Sequence, residues 1–99
     1  LGAAAQESAV TTRIVNAYRH EYEVFVGRPS IFGNPFREGV DGPRLEVIER
    51  YRTWFLARVE TDPTFRLAAE RLRGRVLACY CKPKPCHGDV IVAWCDGAF

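Results

Sequence analysis

The stretch from Arg75 to Trp94 constrains the fold of this chain more than any other. Arg75-Val76-Leu77-Ala78 is an apolar run of strand length. Asp89-Val90-Ile91-Val92-Ala93-Trp94 reads as a helix, although its β-branched residues work against that assignment. Between them lies Cys79-Tyr80-Cys81-Lys82-Pro83-Lys84-Pro85-Cys86-His87-Gly88. Strand, loop and helix in succession are the working unit of α/β proteins. The carboxyl end of such a strand, facing a helix N-terminus, is where those proteins commonly place ligands.

The remaining elements fit that class. Thr11–Tyr18 reads as a first strand and Glu23–Gly27 as a second, with a turn at Arg19–Tyr22; the two are placed to pair as a hairpin. Residues 28–43 form a Gly/Pro/Asn-rich loop. Arg44–Glu60 is the clearest helix: Leu45, Ile48, Tyr51, Phe55 and Val59 recur at helical spacing, and Val47 and Trp54 widen the stripe. Asp62-Pro63 signals the cap and first residue of another helix, running to about Arg73 with Gly74 as its stop. The expectation is a small single-domain, Rossmann-like α/β sandwich of order β-β-α-α-β-α over residues 10–99. Whether the third strand runs parallel to the first is left open. Residues 1–9 read as a tag remnant or disordered terminus and are set aside.

Three of the four cysteines and one of the two histidines fall within nine consecutive positions. Thiols and imidazole bind soft metals and act as nucleophiles or acid–base groups near neutral pH. One reading is a zinc site of Cys79, Cys81, Cys86 and His87; its C-x-C-x₄-C-H spacing departs from the usual patterns, and adjacent Cys86 and His87 strain to reach one ion. The second reading places Cys86, His87 and Asp89 at a helix N-terminus, where amides and macrodipole favour anions and lower thiol pKa values. There His87 and Asp89 are acid–base candidates, Cys86 a nucleophile candidate, and Lys82 and Lys84 add positive charge. The plain structural alternative keeps Cys79 and Cys81 as small core residues and Asp89 as a cap. Cys95, beside Trp94, is read as having no functional role.

Gly27-Arg28-Pro29-Ser30-Ile31-Phe32-Gly33-Asn34-Pro35-Phe36 is the second informative loop. Arg28, Ser30, Asn34 and the backbone around Gly33 suit phosphate, ribose or base edges. It matches neither the P-loop nor the dinucleotide fingerprint. Equally, the segment suits a rigid turn whose Phe32 and Phe36 plug the core.

Composition sets outer bounds. Ninety-nine residues with 47% hydrophobic and 26% charged suit one globular domain. No apolar run approaches the roughly 18 residues of a membrane span. A formal charge of +2 does not by itself argue for nucleic acid. Lysine occurs only as Lys82 and Lys84; the other basic residues are arginine, whose planar fork suits phosphate and carboxylate. Without a recognisable signal peptide, the cysteines are expected to be free or metal-bound in a reducing cytoplasm.

Taken together, G-R-x-S-x-x-G-N-P-F at residues 27–36, Tyr51-x-x-Trp54, and C-x-C-x₄-C-H-G-D-V at residues 79–90 resemble a bacterial and phage family, the domain of unknown function 4326. The resemblance covers roughly residues 13–95. It implies a shared fold and one site built from both loops, but no reaction, and phage occurrence associates it with nucleotides or nucleic acid. The expected function is binding, with processing as an open extension, of a nucleotide-like or phosphorylated ligand between Gly27–Phe36 and Cys86–Asp89. The alternatives are a zinc-stabilised module contacting nucleic acid or protein, and a purely structural protein. Substrate and oligomeric state are not legible.

Overall fold

Three short parallel strands form the sheet of the computed structural model: β1 (Arg13–Asn16), β2 (Val24–Phe25) and β3 (Val76–Cys79), in the order β1-β3-β2. Residues 11–99 are described; the terminal stretch 1–9 set aside above lies outside them. The hairpin expected of the first two strands does not form, because each pairs instead with β3. Leu77, Ala78 and Cys79 are all buried, as a strand covered on both faces requires, so β3 takes the centre. β1 and β2, half-exposed, take the edges.

Register assigns the two faces of the sheet. Ile14, Leu77 and Val24 lie level on one face and join the main core. Val15, Ala78 and Phe25 lie level on the other. On that second side the Phe25 ring meets Tyr80 at 4.9 Å and Tyr22 at 6.4 Å, and Tyr80 stacks on Tyr18 at 4.8 Å.

Helix α1 (Arg44–Thr61) buries Val47, Tyr51, Phe55 and Val59, a line with a spacing of four. Leu45, expected on the apolar stripe, falls off that line and is 69% exposed. Helix α2 (Pro63–Glu70) starts as expected: the Asp62 carboxylate accepts from the Phe65 N–H at 3.1 Å, and Pro63 follows the cap. It ends at Glu70, three residues short of the expected Arg73, and a turn carries the chain through Gly74 at φ +77° into β3. Helix α3 (Gly88–Cys95) buries Val90, Ile91 and Cys95. Aromatic edges join the three helices: Phe55 meets Phe65 at 5.7 Å and Trp94 at 5.6 Å.

With all strands parallel, the segments beginning at Ala17, Val26 and Tyr80 leave the same edge of the sheet. The two loops singled out in the sequence therefore open side by side at the carboxyl ends of the adjacent strands β2 and β3.

Candidate functional site

Between those loops and the start of α1 is a cavity of about 300 Å³. The first loop contributes Gly27, Arg28, Asn34 and Phe36, and the second contributes Tyr80, Cys81, Pro85, Cys86 and His87, with Cys79 from the end of β3. The start of α1 adds Arg44, Val47 and Ile48, and Glu38 completes the wall. Arg28 and Asn34 thus share the cavity wall with Cys86 and His87. Ser30, Gly33, Lys82, Lys84 and Asp89 do not line the cavity.

The polar groups of the first loop are largely used within the scaffold. Ser30 Oγ accepts from the Phe32 N–H at 3.3 Å. Asn34 Oδ1 accepts from the Phe36 N–H at 2.9 Å, while its Nδ2 donates to the Val47 carbonyl at 3.2 Å. The Asn34 side chain therefore closes an Asx-turn and anchors the loop to the first turn of α1. Tyr51 supplies a second anchor, its hydroxyl donating to the Phe32 carbonyl at 2.7 Å. Burial pushes the Tyr51 phenol above its ordinary range, so it remains a donor. At Gly33 a Cβ would lie 3.0 Å from the Arg28 Cα and 2.8 Å from its Cγ, so the loop closes only with glycine there. Arg28 is the exception: no described carboxylate lies within ion-pair distance of it.

The second loop is held from outside. Asn16, at the end of β1, donates to the Lys82 carbonyl at 2.7 Å and the Tyr80 carbonyl at 3.4 Å. Arg44 donates to the Pro85 carbonyl at 3.2 Å and pairs with Glu38 at 3.1 Å. Asp89 accepts from the Cys86 N–H at 3.0 Å and from Lys82 Nζ at 2.8 Å. The carboxylate therefore shapes the loop at the entry to α3 and pairs with Lys82 rather than orienting His87. Burial acts to lower the Lys82 pKa, but the hydrogen bond and charge of Asp89 outweigh it and leave the ammonium above its ordinary range. A Cβ on Gly88 would come within 2.6 Å of Ile14 Cδ1, so this glycine lets α3 settle on β1.

His87 is buried, with Nε2 2.8 Å from the Val26 carbonyl. A carbonyl only accepts, so Nε2 carries the proton and Nδ1 is the basic nitrogen of the neutral ring. Desolvation holds its pKa below the ordinary histidine value and outweighs the opposing pull of that hydrogen bond. The Tyr51 ring meets the imidazole edge-on at 5.0 Å.

Cys79 and Cys86 are almost fully buried, with sulfurs 3.2 Å apart. Their hydrogen bond favours the thiolate on Cys79, where desolvation opposes it but the N–H groups of Cys81 and Lys82 and the Lys82 charge assist. The same bond, together with burial, raises the pKa of Cys86. Cys81 is half-buried on the cavity wall. Among the described residues no group of three or more His, Cys, Asp or Glu side chains is disposed to hold a metal ion. The proposed four-ligand set is thus brought together only as the Cys79–Cys86 pair, with His87 Nε2 turned to Val26.

Sequence reading missed Arg44, Glu38 and Tyr80. Tyr80 occupies the unassigned position of C-x-C, and nothing in the sequence marked it. Arg44 looked like any first-turn helical residue.

The model for the family described as Domain of unknown function (DUF4326) matches residues 10–97. The chain belongs to this family. It is also 38% identical over 79 residues to a protein of Enterobacteria phage T4, described as "Uncharacterized 12.4 kDa protein in nrdA-td intergenic region". That match covers 80% of this chain and 72% of the phage protein. No solved structure matches. No helix among the described residues is long and apolar enough to cross a membrane.

Proposed function

We propose that this DUF4326 domain binds a nucleotide-like or phosphorylated ligand in the cavity between the two loops. The observation that carries the reading is Arg28: a guanidinium on the wall of a cavity of about 300 Å³, with no ion-pair partner among the described residues. A planar fork of donors suits phosphate oxygens. Tyr80 adds an aromatic residue, 55% exposed, to the cavity lining, which suits a base at the same mouth. Arg44, neutralised by Glu38, contributes shape and donors more than net charge.

Processing of the ligand rests on His87. With its Nε2 proton given to Val26, the ring accepts a proton through Nδ1 and is neutral in the physiological range. Zinc in the Cys79, Cys81, Cys86 and His87 cluster is the competing proposal; it requires Cys81 and His87 to turn toward the Cys79–Cys86 pair.

The test is a thermal-shift screen of nucleoside mono-, di- and triphosphates, sugar phosphates and inorganic phosphate. At least one phosphorylated compound should raise the melting temperature of the wild-type chain in a saturable way. Arg28→Ala should fold with an unchanged melting temperature and lose that shift. A wild-type chain indifferent to every compound, or an Arg28→Ala chain with the full shift, overturns the reading.

A further inference from the structure

The nucleotide reading leaves the Cys79–Cys86 pair unused. A buried free thiol ordinarily serves as a small hydrophobe. That describes Cys95, whose sulfur sits in the core against the Ala69 carbonyl at 3.9 Å and whose pKa burial pushes up to about 11. It does not describe Cys79 and Cys86. One comes from the last position of β3 and the other from the loop entering α3, yet their sulfurs meet at 3.2 Å. Both residues line a cavity open to small molecules, and Cys81 lies on the same wall. Asp89, through its hydrogen bond to the Cys86 N–H and its pair with Lys82, fixes the loop that presents Cys86.

We propose that Cys79 and Cys86 form a redox-active dithiol that exchanges with a low-molecular-weight disulfide entering the cavity. The Cys79 thiolate attacks one sulfur of the disulfide, forming a mixed disulfide and expelling the other half as a thiolate. Cys86 loses its proton to solvent and attacks the Cys79 sulfur, expelling the second half. One disulfide is reduced to two thiols, and the protein dithiol is oxidised to a Cys79–Cys86 disulfide. Closing that bond, about 2 Å long, asks the two sulfurs to approach by roughly an ångström. The proposal is independent of the nucleotide reading, since it needs only access to the cavity floor.

The experiment equilibrates the reduced 99-residue chain with mixtures of bis(2-hydroxyethyl) disulfide and 2-mercaptoethanol. Acid quench, alkylation with N-ethylmaleimide under denaturing conditions and peptide mapping follow. As the disulfide fraction rises, the chain should convert to a species two hydrogens lighter before alkylation. It should carry maleimide on Cys81 and Cys95 and a Cys79–Cys86 linked peptide. Cys86→Ser should accumulate a mercaptoethanol adduct on Cys79, which the wild type resolves. The wild-type map decides the matter even if that variant fails to fold. Four free thiols throughout, or a link between any other pair, overturns the proposal. So does about one zinc per chain in the reduced protein that blocks oxidation until a chelator is added.

Discussion

The loop after β2 and the loop after β3 leave adjacent parallel strands at the same sheet edge, and each contains a cis proline bond, at Arg28–Pro29 and Lys82–Pro83. From there they are built in opposite ways. Residues 27–36 turn their polar side chains inward, with Ser30 and Asn34 bonded within the loop and Asn34 also bonded to α1. Only Arg28 is left over. Residues 80–87 are held by groups from elsewhere, Asn16, Arg44 and Asp89, all of which bind loop backbone. That frees the cysteine side chains to face the cavity. Two loops equally dense in motif residues thus divide the work: the first is mostly scaffold around one arginine, and the second carries the reactive groups.

The largest blow to this division is expected from Asn34→Ala. It removes the Asx-turn acceptor and leaves the buried Val47 carbonyl without its side-chain donor. A loss of about 2–3 kcal/mol in urea denaturation is expected. Gly88→Ala follows, because the added methyl must displace Ile14 to let α3 dock; overpacking of this kind costs roughly 1–3 kcal/mol. Tyr51→Phe keeps the ring packing but orphans the Phe32 carbonyl, for a cost of about 1–2 kcal/mol. If Asn34→Ala and Tyr51→Phe both prove neutral while ligand binding is lost, the first loop is a binding element and the contrast fails.

These residues also show where sequence reasoning stopped. Helix α1 was legible because Val47, Tyr51, Phe55 and Val59 repeat at helical spacing, and the start of α2 because Asp62-Pro63 is a local cap signal. Strand pairing was not. Nothing within β1 or β2 distinguishes a hairpin from two edges of a third strand more than fifty residues away; that choice follows from how deeply β3 is buried. At the site, the two motifs identified the loops that meet, since Arg28, Asn34, Cys86 and His87 do share a cavity. The role of each residue was hidden, because serine and asparagine suit a turn and a phosphate equally well. The partner that fixes the His87 tautomer is Val26, 61 positions away. Tyr80 and Arg44 entered the wall through topology alone.

A pH series sharpens the second half of the comparison. Folding holds the His87 pKa below its ordinary value of 6.5. As pH falls through that value the unfolded chain takes up a proton that the folded chain refuses. The unfolded state then binds more protons, so stability falls as pH falls. The contribution is complete above about pH 7 and declines below it, until the folded histidine also protonates. His87→Gln has no such proton. Denaturation midpoints of the two chains should diverge in slope between about pH 7 and pH 5, the wild type being the steeper. Parallel slopes would mean that His87 is not held neutral by the fold.

The smallest effect is expected from Ser30→Ala. Its hydroxyl accepts one long bond, 3.3 Å, from the Phe32 N–H, and it does not line the cavity. Loss of a weak local turn bond costs about 0.5 kcal/mol or less. Ser30→Ala should therefore keep both the wild-type denaturation midpoint and the ligand-induced shift in melting temperature, whereas Arg28→Ala keeps only the first. The pair is informative because both residues belong to one short motif and only one faces the cavity. If Ser30→Ala abolishes the shift with stability intact, the hydroxyl contacts the ligand directly. The inward bonding of the first loop would then be a resting arrangement that opens on binding, not a scaffold.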